Sequence, residues 1–330
     1  MGRKGLIALI VIVLLCVLGY LALQRSQQED TAALEQAPWL AAEQGYLNTL
    51  QALEIESPGQ PSVRIERRGE AWVVPAKADY PAGPQLLADL LRSLRDARSV
   101  EAKTANAQWH ARLGLAEEGE ADAQALRLKL SFAGHPDLAL RLGNPSRQGN
   151  GQLVRRAGED QVWLIDQQLQ VPTRELDWLD RRVTDIPFTR IARLELRYTD
   201  GEKLTLTRSD AEQHNFAIKA LRKDQTLSFE GAANGVALVF SNLQFADAAP
   251  LAQIGFKQAP LLQFSLAGFA GEKLDGALYK QGEQHWLVLG EQDGFKPGEV
   301  SARSGWAYRL EPEQVQRLTK KLRDLLVKSP

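Results

Sequence analysis

The four histidines are the first residues to consider for chemistry, because imidazole acts as a general acid or base and as a metal ligand. They are His110, His135, His214 and His285. No two of them stand at the short spacing that brings two ligands to one helix or turn. We interpret each as a surface or turn residue. The sequence predicts no catalytic residue, no metal site and no cofactor.

The glycine-rich stretch LGNPSRQGNGQ could cradle a phosphate group. It contains Gly143, Gly149 and Gly151. Their spacing differs from that of a dinucleotide-binding fingerprint, and no Lys-Ser or Lys-Thr pair follows them. Because a strand pattern lies on each side, the sequence favours a hairpin loop.

Charged runs offer a second possible source of chemistry. The acidic run from Glu117 to Asp122 could bind calcium, but it lacks the ligand order of an EF-hand, and we interpret it as a solvated loop. The pairs Arg67-Arg68 and Arg155-Arg156 fall at predicted strand ends, where we expect them to face water. No serine is followed by lysine three residues later, and no Gly-x-Ser-x-Gly elbow occurs.

Three tryptophans, Trp72, Trp163 and Trp286, lie on strands that close predicted hairpins. Burial on a sheet face is the expected role of such a side chain. A row of rings that stacks on glycans is the alternative.

An uncharged, almost wholly apolar segment covers residues 5–23. At about 1.5 Å per residue, a helix of this length just spans a hydrocarbon core of roughly 30 Å. Arg3 and Lys4 precede it, whereas the polar run after it has one basic residue. This charge asymmetry predicts a cytoplasmic tail at residues 1–4, a single pass through the inner membrane, and a periplasmic location for the rest.

The same segment could instead be a cleaved signal peptide. Cutting after Ala22 would place Tyr20 three residues before the cut, where a small residue is needed. Cys16 follows Leu15 rather than a small residue, which argues against lipid modification. The sequence therefore favours an uncleaved signal anchor.

Composition limits the possible partners. The chain has 330 residues and a formal net charge of −1, which excludes nucleic-acid binding through bulk charge. Cys16 is the one cysteine and lies in the apolar segment. The exported part therefore has no disulfide and no thiolate metal site.

Alternating apolar and polar residues predict antiparallel strands. These fall at 50–57, 62–69, 71–76, 125–132, 137–143, 151–157, 161–166, 192–199, 202–210, 214–220, 260–290 and 305–310. Apolar residues at helical spacing predict helices. These fall at 39–50, 85–98, 173–182, 235–245 and 311–327.

The order of strand, turn, strand, turn, strand, helix and meander occurs twice. We interpret this as a duplication rather than a chance likeness of strand-rich segments. The predicted fold class is α+β, with two tandem modules of antiparallel β-meanders, each covered by a helix. The predicted domains are a juxtamembrane helical linker at 24–49, a first module at 50–183 and a second module at 184–330.

Several short motifs in the first module resemble those of a bacterial family called domain of unknown function 4340. They are Trp72, Tyr80-Pro81-Ala82, Val100-Glu101, Lys103-Thr104, Leu113-Gly114-Leu115, Leu142-Gly143, Gly151 and Trp163. Gly83 stands where an acidic residue is expected. The resemblance covers roughly residues 45–185.

This resemblance implies a non-catalytic partner of a gliding-motility-type ABC transporter. Such chains are typically found beside an ATPase, a permease and a larger membrane-anchored auxiliary protein. The family provides no active-site residue that could be transferred to this sequence.

Two functions from different classes follow. The first is a membrane-anchored periplasmic interaction subunit, which predicts an exposed apolar patch or an unpaired sheet edge. The alternative is an envelope glycan- or lipid-binding protein, or a hydrolase with an unrecognised site. This alternative predicts a deep pocket with converging carboxylates, or a histidine beside a carboxylate.

Overall fold

The computed structural model describes residues 37–147, 149–219 and 221–327. They form two compact units, of which unit 1 ends at Leu179 and unit 2 begins at Asp180. The sequence places this division between residues 183 and 184. The predicted membrane anchor at 5–23 lies outside the described residues. Within the described ranges, no helix is both long and apolar enough to span a bilayer.

Unit 1 is built mainly from short strands. They are β1 Leu50–Glu56, β2 Val63–Arg68, β3 Ala71–Val74, β4 Tyr80–Pro81, β5 Ser99–Ala102, β6 Leu126–Phe132, β7 His135–Pro145, β8 Gln152–Arg156 and β9 Trp163–Ile165. Its α-helices are α1 Pro84–Asp96 and α2 Glu175–Trp178. Pro84 suits the first turn of α1, where its missing N–H is not needed, and the leucine stripe is buried through Leu87, Leu90 and Leu94.

The strands of unit 1 form one nine-stranded sheet in the order β4-β3-β2-β1-β6-β7-β8-β9-β5. Neighbouring strands are antiparallel throughout. On the central strands, apolar side chains such as Leu53, Leu130 and Leu140 point to the buried inner face. Polar side chains alternate with them on the outer face, as the period of two predicts.

The predicted helical linker at 24–49 is wrong where the structure describes it. Residues 39–46 form turns, and a 3-10 helix follows at Leu47–Thr49. Trp39 and Leu40 are buried, and the Trp39 N–H donates to the Ala97 carbonyl at 2.8 Å. Because these apolar residues pack into unit 1, the segment belongs to that unit rather than to a linker.

The described residues of unit 2 form ten strands. They are β10 Arg182–Thr184, β11 Ile191–Tyr198, β12 Lys203–Thr207, β13 Ala217–Ile218, β14 Leu243–Gln244, β15 Asp247–Pro250, β16 Leu262–Gly268, β17 Lys273–Gln281, β18 Gln284–Asp293 and β19 Trp306–Arg309. Its α-helices are α3 Asn234–Ala237, α4 Leu251–Ile254, α5 Pro312–Leu318 and α6 Leu322–Leu325.

The main sheet of unit 2 has the order β13-β12-β11-β16-β17-β18-β19-β15, and β10 pairs with β14 separately. This order, from β13 to β15, matches the order of the unit 1 sheet from β3 to β5. In both sheets, the first three strands are followed by a four-stranded meander, and the strand that precedes the meander takes the far edge. Even the irregularity in the first pairing recurs, after Leu50 in unit 1 and after Ile191 in unit 2.

The predicted helix at 235–245 is wrong in extent. The segment forms the four-residue α3, a 3-10 helix at Leu238–Ser241 and then β14. The Phe240 carbonyl accepts hydrogen bonds from the Ile186 N–H at 3.0 Å and from Thr184 Oγ1 at 2.8 Å. These bonds to a neighbouring segment replace the bonds that a longer helix would make.

The predicted helix at 311–327 is also interrupted. It forms α5 and α6, separated at residues 319–321. The carbonyl of Lys320 accepts a hydrogen bond from the Tyr198 hydroxyl, and the Lys321 N–H is capped by the Asp324 carboxylate at 2.9 Å. The tertiary contact from Tyr198 therefore interrupts the helix after α5, and the cap from Asp324 allows α6 to begin.

Candidate functional site

The segment between β5 and β6 carries the most distinctive surface of unit 1. We call residues 103–125 the cover segment, because it lies over the outer face of β7 and β8. It begins with two 3-10 turns, Ala107–Trp109 and Ala111–Leu113. The side chain of Asn106 caps the first by accepting from the Gln108 N–H at 3.0 Å, and Gly114 ends the second at φ +67°.

Glycines allow the cover segment to approach the sheet closely. A Cβ on Gly143 of β7 would lie 2.6 Å from the Leu113 carbonyl oxygen. A Cβ on Gly114 would lie 2.6 Å from Oδ1 of Asn144. Both positions therefore require glycine, which explains why these two residues stand in the sequence motifs.

A groove of about 560 Å³ opens between the cover segment and the β7–β8 loop. We call it the Trp109 groove. Its apolar floor consists of Leu113, Leu153 and Leu164. Its rim carries Trp109 and three cations, Lys103, Arg112 and Arg147.

The indole of Trp109 is 46% exposed, which is unusual for so large an apolar side chain. The Arg112 guanidinium lies 4.9 Å from the centre of the ring. This cation–π contact favours the placement of both side chains together at the rim. The groove thus presents an aromatic surface next to a positive charge.

The charge of the groove is positive. The Lys103 ammonium is paired with Glu101 at 2.5 Å. Within residues 37–147 and the rest of the described chain, neither Arg112 nor Arg147 has a carboxylate partner, and none of the lining residues is acidic. The groove can therefore attract a carboxylate or another anion that also carries an apolar group.

Ion pairs hold the cover segment on the sheet. The Glu117 carboxylate accepts from Arg155 at 2.5 Å and from Arg141 at 3.0 Å. Burial raises the pKa of Glu117, but the hydrogen bonds from Arg141 and Arg155 outweigh it and leave the pKa below its usual value. Glu117 is exposed in a loop, as predicted for the acidic run, and in addition it pairs with two arginines of the sheet.

Arg155 corrects the prediction that the Arg155-Arg156 pair faces water. Arg155 is buried, and its guanidinium donates to the Leu115 carbonyl at 3.1 Å. Arg156 forms a two-pronged pair with Glu43 at 2.7 and 2.8 Å. Because β8 is an interior strand of the sheet, residues at its end contact neighbouring segments instead of solvent.

Two residues that line the Trp109 groove, Lys103 and Leu113, belong to the motifs that resemble a known family. The family model named Domain of unknown function (DUF4340) matches residues 72–259, more than half of the chain. The chain belongs to the DUF4340 family. No curated protein and no solved structure gives a significant match to it.

The DUF4340 match includes every residue named in the Trp109 groove and ends before β16. Motif residues Lys103 and Leu113 line the groove directly, and Gly143 and Gly151 allow the chain to pack closely beside it. The stretch LGNPSRQGNGQ is a hairpin loop between β7 and β8, as predicted.

The histidines of this DUF4340 chain lie on separate elements. His110 lies at a turn, as predicted, where it is buried and its Nε2 lies 2.9 Å from the Asp160 carbonyl oxygen. His135 stacks on Tyr46 with ring centres 4.2 Å apart. Burial lowers the pKa of His285 below its usual value, and His214 lies in a loop. Among the described residues, no three potential ligands gather to hold a metal ion.

The remaining candidates have structural positions. Trp286 is buried and Trp72 and Trp163 are half-buried, in agreement with sheet packing. The Arg67-Arg68 pair is exposed, as predicted. Sequence reasoning missed Trp109, Arg112 and Arg147. The available signal was a tryptophan in a polar segment that has no strand alternation.

Proposed function

We propose that the protein is a non-catalytic, membrane-anchored subunit, exported to the periplasm, that binds a partner protein through the Trp109 groove. We propose further that this partner belongs to an ABC transport system of the gliding-motility type. The family resemblance supports the transporter, since such chains are typically found beside its ATPase, its permease and an auxiliary protein.

The observation that carries the proposal is the exposed indole of Trp109 beside Arg112 and Arg147, for which the described residues provide no carboxylate partner. Tryptophan and arginine are the side chains most enriched among residues that dominate binding energy at protein interfaces. The apolar floor of the groove would accept a leucine- or phenylalanine-sized side chain, and Arg112 and Arg147 would pair with carboxylates beside it. A partner segment that combines both kinds of residue fits this chemistry.

A sheet edge lies next to the groove in the chain. β5 is the last strand of its sheet; the Ala37 carbonyl accepts from the Ser99 N–H at its start, and beyond this contact Val100 is 41% exposed. Lys103, which follows β5 directly, lines the groove. An extended partner segment could therefore pair with the edge and insert a side chain into the groove, which is a common mode of peptide recognition.

The membrane anchor predicted at 5–23 would keep this surface near other proteins of the inner membrane, with the N-terminus in the cytoplasm. Restricting two proteins to one membrane raises their effective concentration, so a groove of modest affinity is sufficient. We also propose that the two units, which share one strand order, arose by duplication.

The test is purification of the full-length chain from its native membrane in mild detergent, with quantitative mass spectrometry of co-purifying proteins. The wild type should recover an ABC ATPase and permease. The double variant Trp109→Ala, Arg112→Glu should lose them. Arg92→Glu is the matched control, because Arg92 is an exposed arginine on α1 that pairs with Asp89 and lies outside the groove.

Recovery of the same partners by the groove variant would contradict the groove as the contact. Recovery of the wild-type chain alone would contradict the transporter association. In that case the alternative, an envelope glycan- or lipid-binding protein or a hydrolase, is tested by screening the purified chain against envelope glycans and lipids.

A further inference from the structure

The outer face of the unit 2 sheet contains an open hollow of about 510 Å³, bordered by β11, β16, β17 and β18. This volume falls in the range of roughly 300–1,000 Å³ that small-molecule sites occupy. We call it the Asp275 hollow. Small residues on the outer face leave room for it, namely Ser265, Ala277 and Gly290.

The strand register shows why the sheet of unit 2 has room for the hollow. Ser265 pairs with Glu195 as Lys129 pairs with Glu54 in unit 1. By the same register, Ala277 occupies the place of Arg141, so two long cations of unit 1 are replaced by short side chains.

The cover segment is the second difference. In unit 1, residues 103–125 connect the edge strand to the meander and lie on the outer face of the sheet. In unit 2, the corresponding connection is residues 251–261, about half as long. The outer face of unit 2 therefore stays open at the place where that of unit 1 is covered.

The walls of the hollow carry hydrogen-bonding side chains. Glu195 is paired with Arg193 and lies 3.7 Å from Arg197. Across the described part of the chain, the side chains of Gln263, Ser265 and Asp275 have no protein partner. These groups offer acceptors from the carboxylates, a donor from the guanidinium, and both functions from the amide and the hydroxyl.

One wall is aromatic. The ring of Tyr279 stacks on Phe256 with centres 4.2 Å apart and planes 8° apart. This stacking fixes the orientation of the tyrosine, which lines the hollow. The C–H groups of a sugar ring carry partial positive charge. They can therefore pack against the negative face of the tyrosine ring or beside its hydroxyl oxygen.

We propose that the Asp275 hollow binds a neutral oligosaccharide. Donors and acceptors alternate within a small area, as the hydroxyl groups of a sugar require. The unpaired Asp275 carboxylate repels anionic ligands, and the polar walls do not suit a lipid chain. This chemistry differs from that of the cationic Trp109 groove, and the proposal does not depend on it.

The test uses the full-length chain in a detergent without a sugar headgroup. Cellotetraose and chitotetraose are the probes, and saturation-transfer NMR followed by titration measures their binding. The wild type should bind at least one of them. Asp275→Ala and Ala277→Arg should each weaken binding about tenfold or more, because one removes a charged acceptor and the other fills the hollow.

Lys273→Ala is the matched control, since Lys273 is an exposed residue at the start of β17 outside the hollow. It should bind as the wild type does. Failure of the wild type to bind either probe would overturn the proposal. Unchanged affinity in Asp275→Ala, an exposed position whose loss does not disturb the fold, would overturn it equally.

Discussion

The outer faces of the two sheets differ although their strands follow one order. In unit 1 the outer face carries ion pairs and the cover segment, and its arginines bond to backbone carbonyls of that segment. In unit 2, Ser265, Ala277 and Val288 stand in the places of Lys129, Arg141 and Arg155, and the surface is open. The comparison shows that topology fixes which positions face outward, whereas the length of one connection decides whether that face is covered.

Position 155 shows the difference most sharply. Arg155 pairs with Arg141 across β7 and β8, as Val288 pairs with Ala277 in unit 2. The buried guanidinium satisfies the Leu115 carbonyl, which the cover segment turns toward the sheet. The short connection at residues 251–261 of unit 2 does not form a cover segment, and valine stands at this place.

The largest expected effect on stability is that of replacing Arg155 in unit 1 by valine, the residue at the matching place in unit 2. Arg155→Val leaves the Leu115 carbonyl without its buried donor, and we expect the free energy of unfolding of unit 1 to fall by about 3 kcal/mol. Hydrogen exchange of peptides from β7 and β8 measures it. Arg67→Val, at an exposed site on β2, is the control and should change little. An equal effect of both variants would show that the cover segment does not need Arg155.

A smaller effect is expected on the inner face. In unit 1, Leu128 opposes Leu140, and in unit 2 Phe264 opposes Gly276. A Cβ on Gly276 would lie 2.5 Å from the Phe264 ring. Gly276→Ala should therefore lower the free energy of unfolding of unit 2 by about 2 kcal/mol, measured by urea unfolding.

Gly290→Ala is the control for this variant, because its added Cβ would meet no atom closer than 3.6 Å. We expect it to change stability by less than about 0.5 kcal/mol. If the two variants were equally stable, the packing of the Phe264 ring would not require glycine at position 276.

The smallest expected effect is a pH-dependent change in the stability of unit 1. The arginines lower the pKa of Glu117 in the folded state, so the carboxylate stabilises unit 1 above its unfolded pKa of about 4.3. This stabilisation is lost as pH falls through the folded pKa. Glu117→Gln should therefore be less stable than the wild type at neutral pH, and the difference should vanish in acid.

Unfolding by urea at a series of pH values measures this convergence. Glu118→Gln, at the exposed neighbouring position, should show no such pH-dependent difference. A constant gap between Glu117→Gln and the wild type down to strong acid would mean that the carboxylate charge is not what holds the cover segment.

The strands could be predicted from sequence because one face of each sheet is buried, so residues such as Leu194, Leu196 and Leu204 alternate with polar ones. Helix α1 could be predicted from its leucine stripe. The segment at 235–245 could not, because its apolar residues are buried from several sides and the Phe240 carbonyl bonds to a different segment. Local periodicity carries no information about such tertiary partners.

The sites were less accessible to sequence reasoning than the fold. The Trp109 groove exists because Gly114 and Gly143 let the cover segment approach β7, a contact between positions far apart in the chain. The Asp275 hollow depends on cross-strand neighbours. Its signals were present in the internal repeat, namely the shorter connection before β16 and the replacement of lysine and arginine by Ser265 and Ala277.

The way in which the chain enters unit 1 has a mechanical consequence. The Ala37 carbonyl accepts from the Ser99 N–H at 3.0 Å, and Glu43 forms an ion pair with Arg156 on an interior strand. A pull applied to residue 37 is therefore shared between an edge strand and the middle of the sheet. Tension or torque that arrives along the chain at residue 37 is therefore transmitted directly to the sheet of unit 1.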